Sequence, residues 1–165
     1  MKKWREELVN GNEIHVKIGE VKIGKSGDLL KTVLGSCVGI AFVWKEKGLF
    51  ALAHCLLPEA YGPTSVIGAK FVSQAVPSLM ALLKVKPEEI KEIEVSIAGG
   101  ANMMSQLSRK NVDHIGSLNL AAAKKYLELN GFKFREIDVG GEEGRQMFID
   151  CTSGQVTVLK FQKAI

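Results

Sequence analysis

The sequence predicts an α+β fold: a layered α/β sandwich of mixed, mainly antiparallel sheets flanked by two or three helices. Three observations carry that expectation. Many short segments alternate apolar and polar residues with a period of two, as strands do. Two segments, near 69–83 and 119–130, have helical spacing instead. The strands also come in runs and not in βαβ alternation, which favours layered packing over a doubly wound sheet. At 165 residues, the chain suits one domain with one core. It reads as a polar extension over 1–13 followed by a single domain over 14–165.

Ile14–Gly24 (IHVKIGEVKIG) alternates like a half-buried strand, and Gly24–Gly27 reads as a turn. Leu29–Leu34 is a second strand, ended by Gly35. Val38–Trp44 and Leu49–Leu57 are nearly continuous apolar strands joined by KEKG, an antiparallel hairpin covered on both faces. Pro58–Ser65 is a loop. A helix follows over about 69–83, with Phe71, Ala75, Leu79 and Leu82 near one face and Pro77 expected to kink or split it. Lys91–Ala98 is a strand leaving through Gly99–Gly100. Asn119 suits the N-cap of a helix that Gly131 closes. Phe134–Val139, Gln146–Cys151 and Val156–Phe161 complete the strands, with a turn at Thr152–Gly154.

Composition narrows the function. Hydrophobic residues make up 46% and charged residues 24%, the balance of a globular protein and not of a disordered one. The net charge of +4 is spread singly along the chain, densest at Met1–Arg5 and Lys124–Lys125. A nucleic-acid binder usually gathers its charge into one stripe, so a solvated surface is the better reading. No apolar run reaches the length of a membrane span, and charges stand where a signal peptide needs its apolar core. Three cysteines without paired spacing indicate free thiols in a reducing compartment. The expectation is a cytoplasmic protein, with a monomer as the default. His15, His54 and His114 lack metal-ligand spacing, so no metal is expected, and no cofactor is indicated.

The chemistry-bearing candidates are Cys37 and His54. Cys37 sits in LGSCVG (Leu34–Gly39), after a glycine turn and before an apolar strand. Gly35 lets backbone approach a substrate closely, and the amides near Ser36 and Cys37 can face a developing oxyanion. If Trp44 lies opposite Leu49, Gly39 faces His54 and Cys37 is its diagonal neighbour on the same face, about 7–8 Å away. Gly39 would leave the imidazole room to lean toward the thiol. A register slip by one residue would separate the two. Both also fit inert core positions, since buried cysteines and lone histidines usually pack. Cys55 should point away from His54 and Cys151 lies at a strand end, so both read as inert. His15 and His114 read as surface or loop residues.

LGSCVGIAF, LAHCLLP (Leu52–Pro58), SIAGGANMM (Ser96–Met104), HIGSLNLAAAKKYL (His114–Leu127) and DVGGEEGRQMFIDCTSGQVTV (Asp138–Val158) together resemble the CheD chemoreceptor glutamine deamidases. The resemblance implies a layered α/β sandwich that hydrolyses glutamine side chains on chemoreceptor signalling helices to glutamate and ammonia. It implies Cys37 as nucleophile, His54 as general base, and a CheC-type phosphatase as a second partner. The family's third catalytic residue is a threonine six residues before the cysteine, where this chain has Lys31. Thr32 is the nearest hydroxyl, and neighbouring strand residues point to opposite faces. Thr32 would therefore serve only if a bulge or an alignment shift re-aims it. Gly99 and Gly100 match the family's glycine pair, read here as a tight turn. Ser36 either donates to the substrate amide or caps its turn. A CheD-like binding module without catalysis and a cysteine hydrolase of other specificity are the competing readings.

Overall fold

The computed structural model describes residues 11–64, 66–103 and 114–161. Residues 1–10 of the expected extension, and with them the basic stretch Met1–Arg5, lie outside the described residues; Glu13 already belongs to the first strand. In chain order the strands are β1 (Glu13–His15), β2 (Val21–Lys25), β3 (Leu29–Leu34), β4 (Val38–Trp44), β5 (Leu49–Cys55), β6 (Glu94–Gly99), β7 (Phe134–Val139), β8 (Arg145–Asp150) and β9 (Val156–Lys160). Two α-helices, α1 (Val72–Leu82) and α2 (Ile115–Leu129), stand among the described residues.

The strands form a four-stranded sheet, β1-β3-β8-β9, and a five-stranded sheet, β2-β5-β4-β6-β7. All pairs are antiparallel except β1–β3 and β6–β7. β6, α2 and β7 form one local βαβ unit inside a mainly antiparallel layout. The α+β sandwich expected from the sequence is therefore present.

Side-chain alternation explains why this chain builds three layers. Along β4, Val38, Ile40, Phe42 and Trp44 join a core with Val72, Val76 and Leu79 of α1 and Leu127 of α2. Ala41 and Val43 point the other way, into a second core with Leu30, Leu34, Met147 and Ile149 of the four-stranded sheet. Every residue of β4 is buried as a result. A strand covered on both faces has no polar positions to show, which is why its sequence reads as an unbroken apolar run.

Several boundaries differ from the sequence reading, each for a physical reason. Ile14–Gly24 is not one strand. It turns at Lys17–Glu20, where Gly19 takes φ +83° and the Glu20 N–H returns to the Lys17 carbonyl at 2.9 Å. The alternation continues through the turn, but β1 and β2 belong to different sheets. Gly24 lies inside β2, and the following turn uses Gly27 at φ +94°. β6 begins at Glu94 because Pro87 starts a 3₁₀ turn over Pro87–Glu92. Pro77 does not divide α1, which runs through it; one missing amide is outweighed by the buried face of Val72, Ala75, Val76 and Leu79.

The largest departure is in α2. Its N-cap is His114, and Asn119 is an interior residue with no exposed surface. Gly131 does take the left-handed conformation expected after the helix, at φ +83°.

Candidate active site

The hairpin register sets the site. Trp44 pairs with Leu49 and Gly39 with His54, the register on which the expected diagonal depends. Phe50 and Leu52 of β5 face the four-stranded sheet together with Cys37, whereas Ala51, Ala53 and Cys55 face the helices. His54 follows the same alternation as Phe50 and Leu52. Cys37, two residues before Gly39, is thus diagonal to His54 on the face between the sheets. Both are nearly enclosed, at 7% and 3% exposure. The space above Gly39 is not left for the imidazole: a Cβ there would stand 2.6 Å from Met147 Sδ and 3.0 Å from Leu34 Cδ1. Glycine at this position lets the second sheet close over the first.

Thr32 and His54 meet across the two sheets, Oγ1 to Nδ1 at 2.6 Å. The Thr32 hydroxyl also donates to the Val16 carbonyl at 2.6 Å. A hydroxyl carries one proton, so with that proton on Val16 it accepts from His54 Nδ1–H. The tautomer then leaves a lone pair on Nε2, an atom that is buried and without a hydrogen-bond partner. A neutral imidazole with a free Nε2 is a base ready to act.

No bulge is needed to bring Thr32 inward. β3 pairs with β8 in unbroken register from Leu29↔Asp150 to Leu34↔Arg145. Leu30, Thr32 and Leu34 are buried, while Lys31 lies outward with its ammonium 3.2 Å from Glu13 Oε2. The hydroxyl beside the histidine therefore stands one position closer to the cysteine than the family spacing places it.

Burial sets the resting charge state. It pushes the Cys37 thiol up from its ordinary value. It also pulls His54 below the ordinary imidazole value, against an opposing contribution from the Val16 carbonyl. Both groups are neutral at rest, so the pair would work by proton transfer during attack and not as a standing ion pair. Protonation would occupy the Nε2 lone pair, and a depressed value places that event at lower pH. For a mechanism that uses His54 as its base, the acid limb of kcat/KM is expected below about pH 6.5, the ordinary imidazole value. The raised thiol value extends the plateau on the alkaline side. Initial rates of ammonia release across the pH range check this; an acid limb at or above the ordinary imidazole value would contradict it. Stability follows the same sign: the His54 contribution is present above its unfolded value and lost as pH falls through the folded one.

The backbone around Cys37 is held from three directions. The Gly35 carbonyl accepts from Ala101 N at 2.9 Å, the Cys37 carbonyl from Gly100 N at 2.8 Å, and the Ser36 carbonyl from Asn119 Nδ2 at 3.0 Å. Among the described residues, no acceptor takes the Cys37 N–H. Gly99 and Gly100 take φ +96° and +68°, and a Cβ on Gly99 would overlap the Cys37 carbonyl. The glycine pair is thus both the tight turn expected and a close approach that only glycine allows. Gly35 has no positive φ; its bare surface carries Met103, which is 55% exposed at the rim of the site.

Residues 56–160 match the family model described as CheD chemotactic sensory transduction. The chain belongs to the CheD family. That match begins after both Cys37 and His54, but the curated relatives extend further. A probable chemoreceptor glutamine deamidase CheD of Bdellovibrio bacteriovorus is 38% identical over 92% of this chain and 96% of its own length. One from Ruegeria sp., named CheD 2, is 32% identical over 92% and 94%. One from Methanococcus vannielii is 34% identical over 89% and 94%.

Other features of this CheD chain were hidden in its sequence. Arg145 is fully buried in β8 and donates to the carbonyls of Asp138, Gly140 and Glu143, with Asp138 Oδ1 3.2 Å away. It holds a loop whose Gly140 N–H bonds Gly99 O at 2.9 Å and whose Gly141 carbonyl accepts from Asn102 N at 2.7 Å. That loop thereby braces the glycine turn behind Cys37. Asn119 was misread as a cap, although Gly116, Asn119, Ala122, Ala123 and Leu127 mark one buried face at helical spacing. A polar residue on an apolar face was the available signal. The remaining thiols stand apart: Cys55 is fully buried and pushed well above its ordinary value, and burial raises Cys151 to about 12. His15 is exposed, and among the described residues no cluster of three metal-ligating side chains occurs. No helix among the described residues is long and apolar enough to cross a membrane.

Proposed function

We propose that the protein hydrolyses the side-chain amide of selected glutamines on chemoreceptors, converting them to glutamates with release of ammonia, in the cytoplasm and without a cofactor. Cys37 is the nucleophile, His54 the general base, and Thr32 holds His54 in its reactive tautomer. One observation carries this reading: a histidine oriented by a threonine at 2.6 Å presents an unpartnered Nε2 on the face that also carries Cys37.

The steps follow from those roles. Cys37 Sγ attacks the amide carbon while its proton passes to His54 Nε2. The oxyanion is met by backbone N–H groups of the Gly35–Cys37 turn. The imidazolium then protonates the departing nitrogen, giving ammonia and a thioester. His54 next takes a proton from water, which attacks the thioester; the thiol is restored and the glutamate side chain is released. A CheC-type phosphatase that competes with the receptor is the second partner in this reading.

The direct test incubates the protein with a receptor signalling-domain fragment and maps glutamine-to-glutamate conversion by mass spectrometry. Conversion at discrete positions is expected. A folded protein that binds the fragment and converts nothing would make it a regulatory binding module. Cleavage of generic peptides would instead mark a cysteine hydrolase of other specificity. Within the same assay, Thr32→Val should lower kcat by roughly 10- to 1000-fold, because an unheld imidazole samples the wrong tautomer. A rate unchanged by that substitution would remove Thr32 from the mechanism.

A further inference from the structure

We propose that Asn119 is a positioning residue that locks the Ser36–Cys37 peptide with the Cys37 N–H available to the oxyanion. The proposal rests on the cysteine-nucleophile reading above and adds to it a residue from a third element of the fold.

Asn119 stands one turn into α2 and has no exposed surface. Its Nδ2 donates to the Ser36 carbonyl and to the Leu56 carbonyl, each at 3.0 Å. An amide nitrogen has two protons, and both are used. The two acceptors belong to the two chain segments that carry the candidate dyad: Ser36 precedes Cys37, and Leu56 lies two residues beyond His54. One side chain therefore ties the nucleophile's segment to the base's strand.

The orientation matters more than the tie. In a trans peptide the carbonyl and the N–H point in opposite directions. Drawing the Ser36 carbonyl to Asn119 turns the Cys37 N–H away from it, and no acceptor among the described residues takes that N–H. Turning that peptide over needs only the ψ of Ser36 and the φ of Cys37 to change together, since the peptide unit itself is planar. Without Asn119 the Ser36–Cys37 peptide is free to turn over, and a carbonyl would then stand where a donor is needed. Its two N–H bonds satisfy the Ser36 and Leu56 carbonyls, but its Oδ1 is buried without a partner, which offsets part of that gain.

Asn119→Ala and Asn119→Asp test the proposal in the full chain. The second keeps the shape and removes both donors. Each variant is assayed for kcat and KM on the receptor fragment, and for alkylation of Cys37 by iodoacetamide, a displacement that forms no oxyanion. Loss of an oxyanion donor costs about 100- to 1000-fold, so kcat should fall at least about 100-fold with KM little changed. Alkylation should remain within about threefold of wild type if the thiol and base are undisturbed. A crystal structure of the variant reads the peptide independently, with the Ser36 carbonyl expected to have turned. Parallel loss of turnover and alkylation, an unchanged kcat, an unmoved carbonyl, or failure of both variants to fold would each overturn the proposal. A wild type that converts no glutamine would instead defeat the deamidase reading, leaving the orientation of the peptide to be judged from the crystal structure.

Discussion

Cys37→Ala is expected to reduce glutamine conversion by at least about four orders of magnitude, since loss of the nucleophile removes the covalent route altogether. The fold should tolerate the change. Cys37 precedes β4, and the hydrogen bond it makes within the turn uses its backbone carbonyl, accepting from Gly100 N. Replacing the thiol by a hydrogen at a site 7% exposed removes one buried heavy atom, at a cost of about 1 kcal/mol. The same receptor fragment should still bind, because the rim of the site, including Met103, is untouched. Mass spectrometry of the fragment and a thermal melt of the variant check the two halves. Conversion persisting in Cys37→Ala would transfer the chemistry elsewhere, and the raised values of Cys55 and Cys151 make neither a ready substitute.

His54→Leu should separate activity from stability more sharply. Turnover should fall at least about 1000-fold, because the proposed mechanism then has no base to take the thiol proton. Stability should stay within about 1 kcal/mol of wild type or rise, for a reason visible in the hydrogen bonds. His54 Nε2 is buried and unpartnered, a cost that leucine removes. Thr32 loses a contact but is not stranded, because its hydroxyl still donates to the Val16 carbonyl at 2.6 Å. The backbone of position 54 also keeps its bonds, from Gly19 N to its carbonyl at 2.8 Å and from its N–H to Glu20 O at 3.0 Å. A core histidine serving only to pack would behave in the opposite way, with turnover retained and the melt lowered. Calorimetry beside the conversion assay distinguishes the two. A buried polar atom kept at a cost in stability is what a functional site leaves behind.

Much of this arrangement was legible in the residues themselves. Alternation along β4 and β5 puts Cys37 and His54 on one face once Trp44 lies opposite Leu49, a register that the KEKG turn does not fix by its own chemistry and that the structure shows. The left-handed glycine at 131 followed from its place after a helix, and Gly27 lies within the expected turn. Where the reading slipped, a local rule met a non-local one. IHVKIGEVKIG keeps its period of two through a turn at Gly19, because β1 and β2 each present one apolar face, though to different sheets. Asn119 looked like a cap because asparagine favours caps, and its partners lie 83 and 63 residues away.

The sequence by itself determined the direction of side chains along each strand and helix, and hence that Cys55 points away from His54; that Cys37 and His54 share a face needed the hairpin register as well. Those directions follow from backbone geometry with periods of two and 3.6, which a short run of residues already displays. Only the tertiary structure decided what those faces meet. Thr32 reaches His54 because the four-stranded sheet closes over the five-stranded one, bringing together residues 22 positions apart on strands of different sheets. Asn119 reaches Ser36 and Leu56 because α2 packs on the opposite face of that same five-stranded sheet. Packing between layers is set by the fit of many side chains at once, and no periodicity along one strand records it.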